Sequence, residues 1–272
     1  LHVRSRRQRQ MCIRDSTPTA EAGSKLAAKL LVPQVKPGFR LGLATGSTPE
    51  GLYAELRKAH AETDFTLEHC TGWALDEYVG IAPDHPERYR NVLRRELVGE
   101  EKTGLKDENL NTPDGLSPDP EESARRYEEA ITSGVDLQIL GIGADGHIGF
   151  NEPSGCLVNP TNVVTLAPRT ISDNARFFDG EEAKVPRRAI TQGLATIMRS
   201  RQAILLAFGE QKADAVAGTV EGAVSAFCPA SILQYHLDVV VIVDNAAASK
   251  LKLADYYRET WQAKYPDIPL DA

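Results

Sequence analysis

The chain has 272 residues, of which 42% are hydrophobic and 25% are charged, and its formal net charge is −7. This length and composition suit one globular domain rather than a disordered chain. The acidic balance disfavours a nucleic-acid partner, because binding to phosphates needs an excess of basic residues. No apolar run approaches the ~20 residues that span a bilayer, so we expect no membrane partner.

The four cysteines lie far apart in the chain, at Cys12, Cys70, Cys156 and Cys228. They form no CxxC pair, so we predict reduced thiols rather than a disulfide framework or a zinc site. This cysteine usage, together with the lack of a secretory signal, indicates a cytoplasmic protein.

Residues 1–16 (LHVRSRRQRQMCIRDS) differ from the rest of the chain, with five arginines and one aspartate. They lack the apolar segment of a secretory signal peptide. The string RRQRQMCIRDS resembles translated read-through of a sequencing adapter. We therefore predict that residues 1–16 are a non-native leader. If this leader has replaced the native start of the chain, the first native strand is missing. Residues 17–272 are assigned to a single domain.

From residue 17 onward, short apolar runs alternate with helical patterns. Helices are predicted over residues 19–32, 47–60, 121–131, 210–220 and 246–259, and strands within residues 37–46, 70–80, 135–143, 203–209 and 239–244. Continuous apolar strands that alternate with helices are typical of a parallel sheet covered on both faces. The pattern predicts an α/β fold, a doubly wound single domain, in which ligands bind beyond the carboxyl ends of the strands.

The first predicted strand is followed by a hydroxyl-rich turn that consists of Thr45, Gly46, Ser47 and Thr48. Ser47 and Glu50 have the spacing of a capping box, and Pro49 suits the first helical position if Thr48 is the cap. A helix N-terminus offers N–H donors to a phosphate. Because this turn has neither the GxxxxGK[ST] nor the GxGxxG pattern, we expect it to bind one phosphate group rather than a nucleotide. An ordinary helix cap is the alternative.

The second predicted strand ends in two acids, Asp76 and Glu77. A carboxylate at this position is either a turn residue or a general base that faces the ligand crevice. Neighbouring side chains of a strand point to opposite faces, so we expect the two acids to have different roles.

The third predicted strand is followed by ADGHIGFNEP, in which Asp145, His147 and Glu152 lie within eight residues. An imidazole that is oriented by carboxylates transfers protons near neutral pH. A hard cation held by the acids is the alternative, although only one histidine is available. A serine or cysteine nucleophile is disfavoured, because no GxSxG pattern occurs.

Two basic residues, Arg176 and Lys212, lie near the ends of predicted elements. Each could be a solvated surface charge. Together with the turn at residues 45–48, they could instead clamp one phosphate ester.

Several segments, LGLATGSTP, LDEYVG with DHPERY, LGIGADGHIGFNEP, ARFF, VP…AIT and GEQKA, resemble the glucosamine-6-phosphate deaminases in order and spacing. The resemblance covers about residues 20–260. It implies a Rossmann-like sheet and the conversion of glucosamine 6-phosphate to fructose 6-phosphate and ammonia, without a cofactor or metal. By motif position it implies that Asp76 is the base at C2 and that His147 is the acid/base for ring opening. Asp145 and Glu152 would orient His147.

The same resemblance implies that the substrate is a small-molecule sugar phosphate held through Ser47 and its neighbours, Arg176 and Lys212. A homo-oligomer is left open. The 6-phosphogluconolactonases share the architecture and a similar DGH loop, but they typically have DER in place of DEY and a different continuation after DGH. Tyr78 and residues 150–153 (FNEP) therefore favour the deaminase. A sugar-phosphate-sensing module is the third alternative, but it would need a fused DNA-binding helix-turn-helix.

The chain departs from the family pattern in two places. Family members usually have serine where this chain has Arg88. Some members are activated by N-acetylglucosamine 6-phosphate, through an arginine and a lysine for which this chain has Asn162 and Val164, and a serine for which it has Gly155. Because both cations are missing, we expect no activation by this effector, unless a basic residue such as Arg169 replaces them.

Overall fold

The computed structural model of the protein describes residues 12–268, with the side chains of residues 17–268. The strands are β1 (Cys12–Thr17), β2 (Arg40–Leu43), β3 (Thr71–Ala74), β4 (Asp76–Tyr78), β5 (Leu110–Asn111), β6 (Leu137–Leu140), β7 (Asn162–Thr165), β8 (Arg188–Thr191), β9 (Gln202–Ala207) and β10 (Val239–Asp244). The α-helices are α1 (Ala20–Leu31), α2 (Ser47–Glu62), α3 (Tyr89–Leu97), α4 (Pro120–Ala130), α5 (Pro168–Asn174), α6 (Leu194–Ile197), α7 (Ala213–Val220) and α8 (Ala254–Lys264).

Seven strands form one sheet in the order β1-β10-β9-β6-β2-β3-β5, and every neighbouring pair is parallel. The predicted Rossmann-like, doubly wound α/β fold is confirmed. The chain runs from β2 outward to β3 and β5, then returns to the other side of β2 with β6. This reversal between β2 and β6 opens a crevice at the carboxyl ends of the two strands, where ligands bind in such sheets.

The predicted leader, residues 1–16, overlaps with strand β1. Residues 1–11 lie outside the described residues, whereas the backbone of residues 12–16 forms most of β1 and pairs in parallel with β10. The boundary predicted between residues 16 and 17 therefore falls inside a strand. The non-native origin of this segment stays a prediction.

A second sheet, which the sequence did not predict, is antiparallel and has the order β4-β8-β7. The prediction of one strand that ends in acids over residues 70–80 is wrong, because β3 ends at Ala74 and Asp76 begins β4 in the other sheet. The two sheets meet at Leu75, whose N–H donates to Leu43 O of the large sheet and whose carbonyl accepts from Gln192 N.

The last predicted helix begins later than the pattern indicated. Instead of starting at residue 246, α8 starts at Ala254. The preceding residues form turns that side-chain carboxylates stabilise: Asp244 accepts from Ala247 N, and Glu221 accepts from the N–H groups of Lys252 and Leu253. Among the described residues, no helix is both long and apolar enough to cross a membrane.

Candidate functional site

All the predicted site residues except Arg176 follow four strands that are direct neighbours in the large sheet, β9, β6, β2 and β3. Arg176 lies in a 3-10 turn directly after α5. The turn at residues 45–48 follows β2, Asp76 follows β3, the loop at residues 141–152 follows β6, and Lys212 ends a short 3-10 turn after β9. The fold therefore brings segments that are spread from residue 45 to residue 212 to one edge of the sheet, as expected for ligand binding in this architecture.

The imidazole of His147 lies between two carboxylates. Its Nδ1 atom is 2.7 Å from Asp145 Oδ1 and 3.6 Å from Glu152 Oε2. The backbone N–H of His147 also donates to Asp145 Oδ1, over 3.2 Å. Burial alone would raise the pKa of Asp145, but the contacts and charge of His147 outweigh it and lower this pKa to about 2. Asp145 is therefore ionised at neutral pH and favours a protonated Nδ1.

Gly143 makes room for this imidazole. A Cβ atom at residue 143 would overlap with the ring of His147. The N–H of Gly143 also donates to the carbonyl of His147 over 2.9 Å, which closes the loop after β6. The glycine-rich sequence thus serves the close packing of the ring against the loop backbone.

Asp76 is buried at the start of β4, with 6% of its surface exposed. Burial raises the pKa of Asp76 to about 8, and the nearby carboxylate of Glu77 makes a smaller contribution in the same direction. A Cβ atom at Gly149 would lie 3.6 Å from Asp76 Oδ2, so the loop that carries His147 passes directly beside Asp76. The loop that carries the predicted acid/base therefore lies beside the predicted base.

Glu77 has a different role from Asp76, as the alternation of side chains predicted. Its carboxylate accepts hydrogen bonds from the N–H groups of Tyr78, Tyr89 and Arg90 and is fully buried. It therefore caps the N-terminus of α3. Arg88, which occupies the position of the family's serine, places its Nε atom 3.8 Å from Glu77 Oε2.

The turn after β2 differs from the capping box predicted for it. Helix α2 begins at Ser47 after Gly46, and this N-cap residue makes no side-chain capping hydrogen bond. The prediction of Thr48 as the cap is wrong, because Gly46 takes this position with φ +96°, a conformation that favours glycine. The hydroxyls of the turn are thus left for other partners, and Arg176 Nη2 lies 3.5 Å from Ser47 Oγ.

Lys212 is half-buried after β9. Burial lowers the pKa of its ammonium group; the charge of Asp173 opposes this shift, and that of Arg176 adds to it. Lys212 thus lies within electrostatic range of Arg176, which contacts Ser47 at the N-terminus of α2. This arrangement suits a bound anion, which would relieve their mutual repulsion.

Sequence reasoning missed the contribution of α5. Thr170, in this helix, donates to Glu152 Oε1 over 2.5 Å, and Asn174 Nδ2 donates to the hydroxyl of Tyr78 over 2.9 Å. The helix has only seven residues, one of them proline, so it is too short to show the apolar periodicity by which a helix is predicted.

The three residues around the imidazole also have the composition of a metal site. One ligand atom from each of Asp145, His147 and Glu152 lies within 4.8 Å of the others. The geometry therefore leaves the metal alternative open, and cofactor-free chemistry stays a prediction.

Comparisons with known proteins agree with this arrangement. A family model described as glucosamine-6-phosphate isomerases/6-phosphogluconolactonase matches residues 18–242. The glucosamine-6-phosphate deaminase of Corynebacterium kroppenstedtii is 51% identical over 241 residues, which cover 88% of this chain and 92% of that protein. The glucosamine-6-phosphate deaminase of Streptomyces avermitilis is 50% identical over 254 residues, which cover 92% and 96%.

Solved structures give the same result. A monomeric glucosamine-6-phosphate deaminase matches with a TM-score of 0.84 and 38% identity, over 88% of this chain and 100% of that chain. The 6-phosphogluconolactonase of Trypanosoma cruzi matches with a TM-score of 0.71 and 19% identity, over 90% of this chain and 98% of that chain. At this identity the second match shows the shared fold alone.

Proposed function

Because the chain belongs to the glucosamine-6-phosphate isomerase/6-phosphogluconolactonase family, we propose that it is a glucosamine-6-phosphate deaminase that forms fructose 6-phosphate and ammonia. The observation that carries this proposal is the pairing of a buried carboxyl group, Asp76, with an imidazole between two carboxylates at the same edge of the sheet. The sugar phosphate is the proposed small-molecule partner. The cytoplasmic location and a homo-oligomeric state stay predictions.

In this proposal His147 moves a proton between the C1 hydroxyl and the ring oxygen, which opens the pyranose and exposes a C1 carbonyl. Asp145 and Glu152, on either side of Nδ1, hold the imidazole in place. The carbonyl acidifies the hydrogen at C2, and Asp76 removes it to give an enolamine. A carboxylate whose pKa is raised to about 8 is a stronger base than an exposed aspartate.

Return of the proton to C1 converts the enolamine into a C2 iminium ion. Water adds to this carbon, and the nitrogen leaves as ammonia, so that the C2 ketone of fructose 6-phosphate remains. Each step moves only protons, water and ammonia, so the chemistry itself calls for no cofactor. Groups that are positioned to transfer protons in this way typically accelerate a step by ~10²–10⁴-fold each.

The phosphate of the substrate would lie at the N-terminus of α2, held by Thr45, Gly46, Ser47, Thr48, Arg176 and Lys212. The proposal is supported by the uncapped first turn of α2 and by the contact between Arg176 and Ser47. A phosphate is remote from C1 and C2, so its binding energy would orient the sugar for the reaction.

The proposal is tested by an assay of ammonia release with glucosamine 6-phosphate, run beside an assay of 6-phosphogluconolactone hydrolysis. We expect turnover of the amino sugar and no hydrolysis of the lactone above the spontaneous rate. The opposite pattern would assign the protein to the lactonase branch of the family.

We expect Lys212→Ala to raise KM for glucosamine 6-phosphate by roughly 10- to 100-fold, with a smaller effect on kcat. This range corresponds to the ~1.5–3 kcal/mol of one hydrogen bond to a charged group. Lys250→Ala is the matched control, because Lys250 is exposed and pairs with Asp214. Turnover of unphosphorylated glucosamine should be slow and insensitive to both changes. An unaltered KM in Lys212→Ala would contradict the assignment.

We also expect hyperbolic saturation without activation by N-acetylglucosamine 6-phosphate. Gly155, Asn162 and Val164 line a cavity of about 370 Å³ and offer no cation to a phosphate. Arg169, the candidate replacement, places its Nε atom 4.0 Å from Asp173 Oδ2 on α5. The loss of two charged hydrogen bonds would weaken an effector by ~10²-fold or more. Initial rates with and without millimolar effector test this. Clear activation would contradict it.

A further inference from the structure

We propose that Thr170 is a positioning residue that fixes the carboxylate of Glu152 against His147, an inference that rests on the proposed function. Thr170 lies in the first turn of α5 and is 97% buried, with 3% of its surface exposed. Its hydroxyl Oγ1 donates to Glu152 Oε1 over 2.5 Å. This distance is at the short end of the range for hydrogen bonds between two oxygen atoms.

The two oxygens of Glu152 have different surroundings. Oε1 accepts from Thr170 Oγ1 and also from the backbone N–H of Ala167, over 3.3 Å. Oε2 is buried, has no hydrogen-bond partner among the residues that the structure describes, and lies 3.6 Å from His147 Nδ1. The hydroxyl of Thr170 and the N–H of Ala167, the residue before α5, therefore hold one oxygen. The rigid carboxylate plane directs the other oxygen at the imidazole.

The contact of Thr170 is not needed to hold α5 in place. This helix also donates from Asn174 Nδ2 to the Tyr78 hydroxyl, and Ile171 packs in an apolar cluster with Tyr78, Phe150 and Phe178. The hydroxyl of Thr170 can thus be removed while the helix keeps its packing. What changes is the carboxylate, which keeps only the long backbone contact and becomes free to rotate.

The test compares Thr170→Val, which removes the hydroxyl at constant shape, with Thr170→Ser, which retains it. Thr103→Val is the matched control, because Thr103 is also buried and donates its hydroxyl to a backbone carbonyl, Leu97 O, over 2.6 Å. We expect Thr170→Val to lower kcat by roughly tenfold, with KM changed less than about twofold. Thr170→Ser should restore most of kcat, and Thr103→Val should leave both constants unchanged.

A second readout does not depend on turnover. In ¹⁵N-labelled, ligand-free protein, the Nδ1 resonance of His147 should shift in Thr170→Val, return in Thr170→Ser and stay in place in Thr103→Val. If the valine variant fails to fold, Thr170→Ala serves the same comparison. Inactivity of the unmodified protein would refute the deaminase function, and the resonance would still decide on Thr170. An unchanged resonance in the valine or alanine variant would overturn the inference, as would an equal loss of kcat in the serine variant.

Discussion

Asp76→Asn is expected to lower kcat for glucosamine 6-phosphate by ~10²-fold or more, because an amide of the same shape cannot accept the proton from C2. KM should change less than kcat, since Asp76 is not among the residues proposed to hold the phosphate. Asp255→Asn, an exposed acid on α8, is the control for the chemical change itself. Near-full turnover in Asp76→Asn would show that Asp76 is not the base.

The pH dependence gives an independent check of the same substitution. Since burial raises the pKa of Asp76 to about 8, kcat/KM should fall as the pH is lowered below this value. In the unfolded chain Asp76 loses its proton above a pKa near 3.9, whereas in the folded protein it keeps this proton up to about pH 8. The free energy of unfolding should therefore decrease as the pH rises from about 4 to 8. The slope is at most about 1.4 kcal/mol per pH unit.

Asparagine does not ionise, so Asp76→Asn should not lose stability in this way. The free energy of unfolding of the variant, relative to that of the unmodified protein, should therefore increase between pH 5 and pH 8. Denaturant unfolding at the two pH values measures the difference. A stability gap that does not change with pH would contradict the raised pKa of Asp76.

His147→Gln is expected to reduce kcat by ~10²-fold or more, because glutamine cannot move a proton to the ring oxygen. The contacts and charge of His147 are also what lower the pKa of Asp145 to about 2, so this pKa should rise in the variant. His60→Gln is the control, since His60 lies at the opposite end of α2 and contacts the carbonyls of Phe65 and Glu100. If His147→Gln and His60→Gln had equal kcat, His147 would have no part in the reaction.

The sequence predicted the placement of the candidate residues best where they follow strands of the large sheet. The apolar runs before Thr45, Asp145 and Lys212 are buried strands, and their carboxyl ends necessarily meet at one edge. The structure shows in addition that these strands are direct neighbours in the sheet. That order depends on contacts between distant segments, which local periodicity does not report.

The small sheet and α5 were beyond a pattern-based prediction. Strand β7 has no fully buried residue, and β4 has three residues, so neither shows the apolar run of a core strand. Their stability comes from pairing with β8. Thr170 could not be assigned either, because the contact with Glu152 exists only once α5 packs over the loop after β6.

Carbon-13 NMR of the reaction with glucosamine 6-phosphate labelled at C2 tests the proposed chemistry most directly. We predict that the signal of the amine-bearing C2 is replaced by that of the ketose C2 of fructose 6-phosphate, with one ammonium ion formed for each ketose. The same sample with Asp76→Asn should show this conversion at least ~10²-fold more slowly. If the signal of the amine-bearing C2 persisted in the presence of the unmodified protein, the proposed chemistry would be contradicted.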